Sequence, residues 1–137
     1  VRKYYVENQI PNTTDVTVSQ AAERLQSLMA DPDIWKDSEI NGDKLARLAG
    51  TNRTYLQQAA KELGFTGLTE MIHRRRIDDV CEQLRIDPTA SIQDLFYDAG
   101  YRSRTTAWRH FNEIVGFTPT EFIERNIKPK TPGKPNR

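Results

Sequence analysis

Two sets of side chains recur along this 137-residue chain with one spacing. The first is Arg53, Thr54, Gln57, Gln58 and Lys61; the second, 51 positions later, is Arg104, Thr105, Trp108, Arg109 and Asn112. Positions i, i+1, i+4, i+5 and i+8 lie along one continuous helical face. Arg carries a planar fork that meets guanine O6 and N7, the Gln amide meets adenine N6 and N7, and Thr or an aromatic ring meets the thymine methyl. Each set follows a short polar residue, Asn52 or Ser103, suited to cap a helix whose first N–H groups favour phosphate. Either set alone is equally compatible with a solvated helix face. Their match at one spacing points to a surface that reads DNA.

The elements that would hold these faces are also duplicated. Around Gly50 the chain reads Lys44-Leu-Ala-Arg-Leu-Ala-Gly50, then Thr51-Asn-Arg-Thr54 and later Gly64-Phe-Thr. Around Gly100 it reads Asp94-Leu-Phe-Tyr-Asp-Ala-Gly100, then Tyr101-Arg-Ser-Arg-Thr105 and later Gly116-Phe-Thr. Each copy predicts a short helix ending Ala-Gly, a second helix opened by a polar cap, and a turn into a further helix. Two helices joined by a tight Gly turn form a helix-turn-helix, whose second helix can lie in the major groove.

Local signals set the remaining elements. Thr17 and Gln20 form a capping box ahead of Ala21, Ala22, Leu25, Leu28 and Met29 on one face. Asp31 to Glu39 reads as a turn-rich connection that docks Ile34 and Trp35 on the core. In the first copy Asn41 caps the short helix, and Leu45, Leu48, Ala49, Leu56, Ala59, Ala60 and Leu63 are expected inward. A bridging helix over Leu68–Arg85 turns Ile77, Val80, Cys81 and Leu84 inward before Asp87-Pro88 stops it. In the second copy Ser91 opens the short helix, and Ile92, Leu95, Phe96, Ala99, Ala107 and Phe111 are expected inward. Trp108, beside the inward Ala107, is expected exposed or at the rim. Thr118-Pro119-Thr-Glu121 opens a last helix ending near Asn126.

The expected fold is all-α, with seven helices. Its two helix-turn-helix subdomains are residues 17–85, bridging helix included, and residues 86–127. A linker at 1–16 and a disordered basic tail at 128–137 flank them.

Composition narrows the function. Net charge is +1, yet residues 1–100 balance to −4 and residues 101–137 to +5, a basic portion suited to phosphate. The single Cys81 excludes an internal disulfide and a multi-Cys zinc site, and falls on a buried stripe. His73 and His110 lie on different helices without an acidic partner, so neither triad nor metal cluster is expected. There is no Gly-rich phosphate loop. No catalytic residue, metal or cofactor is therefore expected, and no small-molecule site. Arg74, Arg75 and Arg76 read as the solvated side of the bridging helix. No apolar run reaches the ~20 residues of a membrane span. Beginning with Val, the chain reads as a processed protein or a C-terminal piece.

Taken together, Ser91-Ile-Gln-Asp-Leu, Ala99-Gly-Tyr-Arg-Ser, Arg109-His-Phe and Gly116-Phe-Thr-Pro-Thr-Glu-Phe resemble the signature of the AraC/XylS family of bacterial transcription regulators. The resemblance is to the family's C-terminal DNA-binding domain and covers about Ser19–Asn126, with Thr51-Asn-Arg-Thr-Tyr-Leu56 and Arg76-Ile77 similar in the first copy. It implies recognition helices entering successive major-groove segments on one face of double-stranded DNA. The residues implied are Arg53, Thr54, Gln57 and Gln58, then Arg104, Thr105, Trp108 and Arg109, with caps Asn52 and Ser103. RNA polymerase is the implied further partner, and a separate N-terminal sensory or membrane part the implied source of signal. The location implied is cytoplasmic, or the cytoplasmic side of a membrane-anchored protein. The family's large aromatic in the second recognition helix is Ala107 here, a space Trp108 would partly fill, and Ala59-Ala60 replaces bulkier residues in the first. The competing reading is a protein-interaction module of the same helical fold that does not bind DNA.

Overall fold

The computed structural model describes residues 17–126, so the expected linker and basic tail lie outside the described residues. Eight helices occur among those residues, and no strand. They are α1 (Val18–Met29), α2 (Pro32–Trp35), α3 (Gly42–Ala49), α4 (Arg53–Glu62), α5 (Leu68–Ile86), α6 (Ile92–Asp98), α7 (Arg104–Val115) and α8 (Pro119–Asn126). The helix beyond the expected seven is α2. It is one turn long, too short for periodicity to register, and is started by Asp31, whose carboxylate accepts the Asp33 N–H, with Pro32 at the first helical position. The turn drives Trp35 into the core, where it is almost wholly buried.

The chain divides into two compact units, and the boundary falls inside α5, between Ile72 and His73. In the first, Thr17 and Gln20 exchange side-chain and backbone hydrogen bonds of 2.9 and 3.1 Å to open α1. The Asn41 side chain accepts the Lys44 N–H to open α3. The Arg24 guanidinium donates to the Ala49 carbonyl at 2.8 Å, satisfying an acceptor at the end of α3. Helix α4 packs most extensively on α1, and its Leu56, Ala59 and Ala60 are wholly buried. Two adjacent alanines let the helix axes approach closely. Leu48, expected inward, is instead 57 % exposed, because α3 turns Leu45, Ala46 and Ala49 to the core.

The second unit packs differently. Ile77, Val80, Cys81 and Leu84 of α5 cluster with Phe96, Ala99, Tyr101, Ala107, Phe111 and Phe122. The rings meet edge to face: Phe96 with Phe111 at 6.2 Å between centroids, and Phe111 with Phe122 at 5.8 Å.

The turn inside each helix-turn-helix begins alike, although the second is one residue longer, with Asn52 capping α4 two residues after Gly50 and Ser103 capping α7 three after Gly100. Gly50 and Gly100 take φ of 72° and 115°, a region that side-chain-bearing residues avoid. Thr51 N–H then reaches back to the Ala46 carbonyl, and Tyr101 N–H to the Phe96 carbonyl, both at 3.0 Å. This closes the helix end and aims the next one.

Candidate nucleic-acid interface

The side chains of the two caps are spent locally. Asn52 Oδ1 accepts the Tyr55 N–H at 2.8 Å, and Ser103 Oγ accepts the Thr106 N–H at 3.2 Å. They start α4 and α7.

On α4, Arg53, Thr54, Gln58 and Lys61 are exposed, and Gln57 is half-buried. These five residues line an open depression of about 370 Å³. Arg53 pairs with the Asp43 carboxylate at 3.7 Å. Gln57, while lining that depression, also holds the next helix, its Oε1 accepting the Leu68 N–H at 3.0 Å.

On α7, Arg104, Thr105, Arg109 and Asn112 are exposed. The Arg104 guanidinium lies 5.6 Å from the Trp108 ring centroid. Trp108 is half-buried, with its ring 6.3 Å from that of Phe96 and its Nε1 enclosed without a hydrogen-bond partner. It sits at the rim, with one edge in the core.

Behind this face lies a cluster that sequence reasoning missed. The Tyr101 hydroxyl sits between two imidazoles, 3.3 Å from His73 Nδ1 and 3.0 Å from His110 Nδ1. The two imidazole centroids are 3.8 Å apart. Burial, reinforced by His110, Arg76 and Arg109, lowers His73 to about 4. Burial and Arg109 also lower His110, with Glu113 opposing them. Burial pushes the Tyr101 hydroxyl up. All three are neutral at pH 7, which fits a hydrogen-bonded packing element.

Arg76 corrects the reading of the three arginines as a solvated side. It is buried, with its guanidinium 5.3 Å from the Tyr101 ring centroid. Arg102 was also missed; it donates to the Tyr97 and Tyr101 carbonyls while its guanidinium lies 4.0 Å from the exposed Tyr97 ring. The basic residue after Gly100-Tyr101 was the one available signal. Cys81 is buried, and burial raises its thiol to about 11, the state of an unreactive side chain. Among the described residues, no group of three or more His, Cys, Asp or Glu could hold a metal ion, and no helix is long and apolar enough to cross a membrane.

A family model described as a helix-turn-helix domain matches residues 45–125, from α3 to α8. The regulatory protein SoxS of Escherichia coli strain K12 is 30 % identical over 101 residues, which are 74 % of this chain and 94 % of that protein. The chain belongs to the AraC/XylS family. SoxS of Salmonella typhimurium strain LT2 is similar to the same extent, 30 % over 101 residues. No solved structure gives a significant match.

This AraC/XylS domain is a DNA-binding module of transcription regulation. Its two departures from the family pattern have a visible packing answer. Ala107 is fully buried and leaves room that the Trp108 ring enters beside Phe96. Ala59 and Ala60 are taken up in the close packing of α4 on α1.

Proposed function

We propose that the domain binds double-stranded DNA as a monomer, with α4 and α7 in successive major-groove segments about one helical turn (~34 Å) apart. One observation carries this reading: the second helix of both copies exposes polar side chains at matched positions. Those are Arg53, Thr54, Gln58 and Lys61 on α4, and Arg104, Thr105, Arg109 and Asn112 on α7. Arg109 and Arg104 provide forks for guanine, Gln58 an amide for adenine, and Thr54 and Thr105 methyl groups for thymine. The first turns of α4 and α7, organised by Asn52 and Ser103, face phosphate. The domain acts as a non-enzymatic regulator on the cytoplasmic side, through RNA polymerase, with its signal arriving from a separate N-terminal sensory or membrane part. The similarity to a protein named as regulatory supports the transcriptional half of this reading.

The test is duplex selection from a random pool, followed by binding measurements on Arg104→Ala and Arg109→Ala. An arginine that reads a base costs ~1–3 kcal/mol on removal and relaxes preference at one position. One that touches phosphate weakens all sequences alike and lowers the salt slope by about one unit. Folded variants that bind like the parent would remove Arg104 and Arg109 from the interface, and a parent that binds no duplex at low salt would favour the protein-interaction module instead.

A further inference from the structure

We infer that Gln57 is a positioning residue of the first recognition helix, and that adenine readout on α4 falls to Gln58. The second half rests on the DNA reading above; the first does not.

At the start of α5, Glu70 accepts the Thr66 N–H at 2.6 Å, but the cap position itself carries no side chain. The first turn of α5 is closed by the Met71 N–H to the Gly67 carbonyl, so the residue at the cap position is a glycine, without a side-chain oxygen for the free N–H groups. Gln57 supplies one from α4, eleven residues earlier, through its 3.0 Å bond from Leu68 N–H. The glycine leaves room for that amide: a Cβ at position 67 would lie 2.5 Å from Gln57 Nε2 and 3.1 Å from its Cδ, so the side chain would have to shift.

Readout of adenine by a glutamine needs both ends of one amide, the oxygen accepting from N6 and the NH₂ donating to N7. In Gln57 the oxygen is engaged by Leu68 and the nitrogen lies over Gly67. Gln58, the next residue, is exposed. The second copy has no such tether. There Thr118 and Glu121 close the first turn of α8 between themselves, and the position matching Gln57 is Trp108, which packs toward Phe96. The glutamine and the glycine therefore form one device that sets the seat of α4 against the start of α5.

Two measurements on the whole chain test this. Backbone amide exchange of Leu68 is followed in the free protein for the parent, Gln57→Ala, Gln57→Glu and Gln58→Ala, and duplex selection is run on the same four. Loss of one hydrogen bond should speed Leu68 exchange by ~10-fold in Gln57→Ala. Gln57→Glu should keep it slow, since a carboxylate accepts the same N–H, and Gln58→Ala should leave it unchanged. Gly67→Ala should reproduce Gln57→Ala by displacing the amide. In selection, Gln57→Glu should bind more weakly across all sequences yet keep the parent's preferred base at every position, while Gln58→Ala loses one adenine preference. Unchanged Leu68 exchange in Gln57→Ala overturns the tether. A switch of one preferred base from adenine to cytosine in Gln57→Glu overturns the division of roles. A parent that selects no sequence overturns the DNA reading, and Leu68 exchange then decides the tether alone.

Discussion

The two units solve one design problem with different materials. In the first, α4 lies on α1 with Leu56, Ala59 and Ala60 buried, and Trp35 is the one aromatic ring in the buried cluster. In the second, the position of Ala60 is held by Phe111, which joins Phe96, Tyr101 and Phe122. The residue after the turn glycine differs as well. Thr51 is buried with its Oγ1 lacking a hydrogen-bond partner, whereas the Tyr101 hydroxyl bridges His73 and His110. Duplicated backbone geometry thus does not require duplicated packing. Where alanines let helices approach, Gln57 reaches across to the Leu68 N–H; where rings fill the interior, Thr118 and Glu121 open the following helix between themselves.

The largest test of that contrast is at the matched pair Ala60 and Phe111. Phe111→Ala should destabilise the second unit by about 3–5 kcal/mol, because it removes a fully buried ring at the centre of an edge-to-face network. Chemical unfolding followed by circular dichroism would show it. The reverse change, Ala60→Leu, should cost about 1–3 kcal/mol by forcing α4 off α1. If Ala60→Leu is neutral, the close approach of α4 is not limiting and the contrast fails.

The residues after the turn glycines come next. Tyr101→Phe should cost about 1–3 kcal/mol, since it leaves imidazole nitrogens partly buried without their partner. Thr51→Val should be neutral or slightly stabilising, because the hydroxyl it removes has no bond to lose. Equal losses at the two positions would erase the distinction.

Acidification should separate the units by less. His73 is held at about 4 in the folded chain against an ordinary 6.5, and His110 is lowered as well. The unfolded chain therefore binds protons first. Stability of the second unit should be full above pH 6.5, fall as pH drops from 6.5 toward 4, and level off below that. The loss between pH 7 and 5 should be on the order of 1 kcal/mol, discounted for the partial exposure of both rings. His73→Phe should flatten the profile; an unaltered slope would assign the pH response elsewhere.

The smallest effect is expected at Cys81. Cys81→Val should shift stability by no more than about 1 kcal/mol and leave DNA affinity unchanged. Rapid labelling of the native thiol would contradict its burial.

What the sequence made legible was local. The caps at Thr17, Asn41, Asn52, Ser91, Ser103 and Thr118 each act within three residues, so the sequence marks the helix starts directly. The all-α fold and the paired Gly turns follow from the same short-range signals. Contacts between distant positions were not legible. Gln57 looked like one more polar residue on an outward face, because nothing in its spacing announces the bare N–H of Leu68. Arg76 looked solvated because it follows two other arginines, yet its guanidinium lies against the Tyr101 ring. His73 and His110 were set aside for want of an acidic partner, when the group between them is a phenol.

That phenol has only one hydrogen to give. When Tyr101 donates to one Nδ1, it can only accept from the other, so the two neutral imidazoles must carry their hydrogens on different ring nitrogens. The three residues therefore form a short wire with a direction, running from one histidine through the hydroxyl to the other. Two such arrangements exist, opposite in sense. Passing between them requires the hydroxyl to rotate and both rings to change tautomer together, which gives a rigid-looking aromatic core a hidden two-fold choice beneath α7.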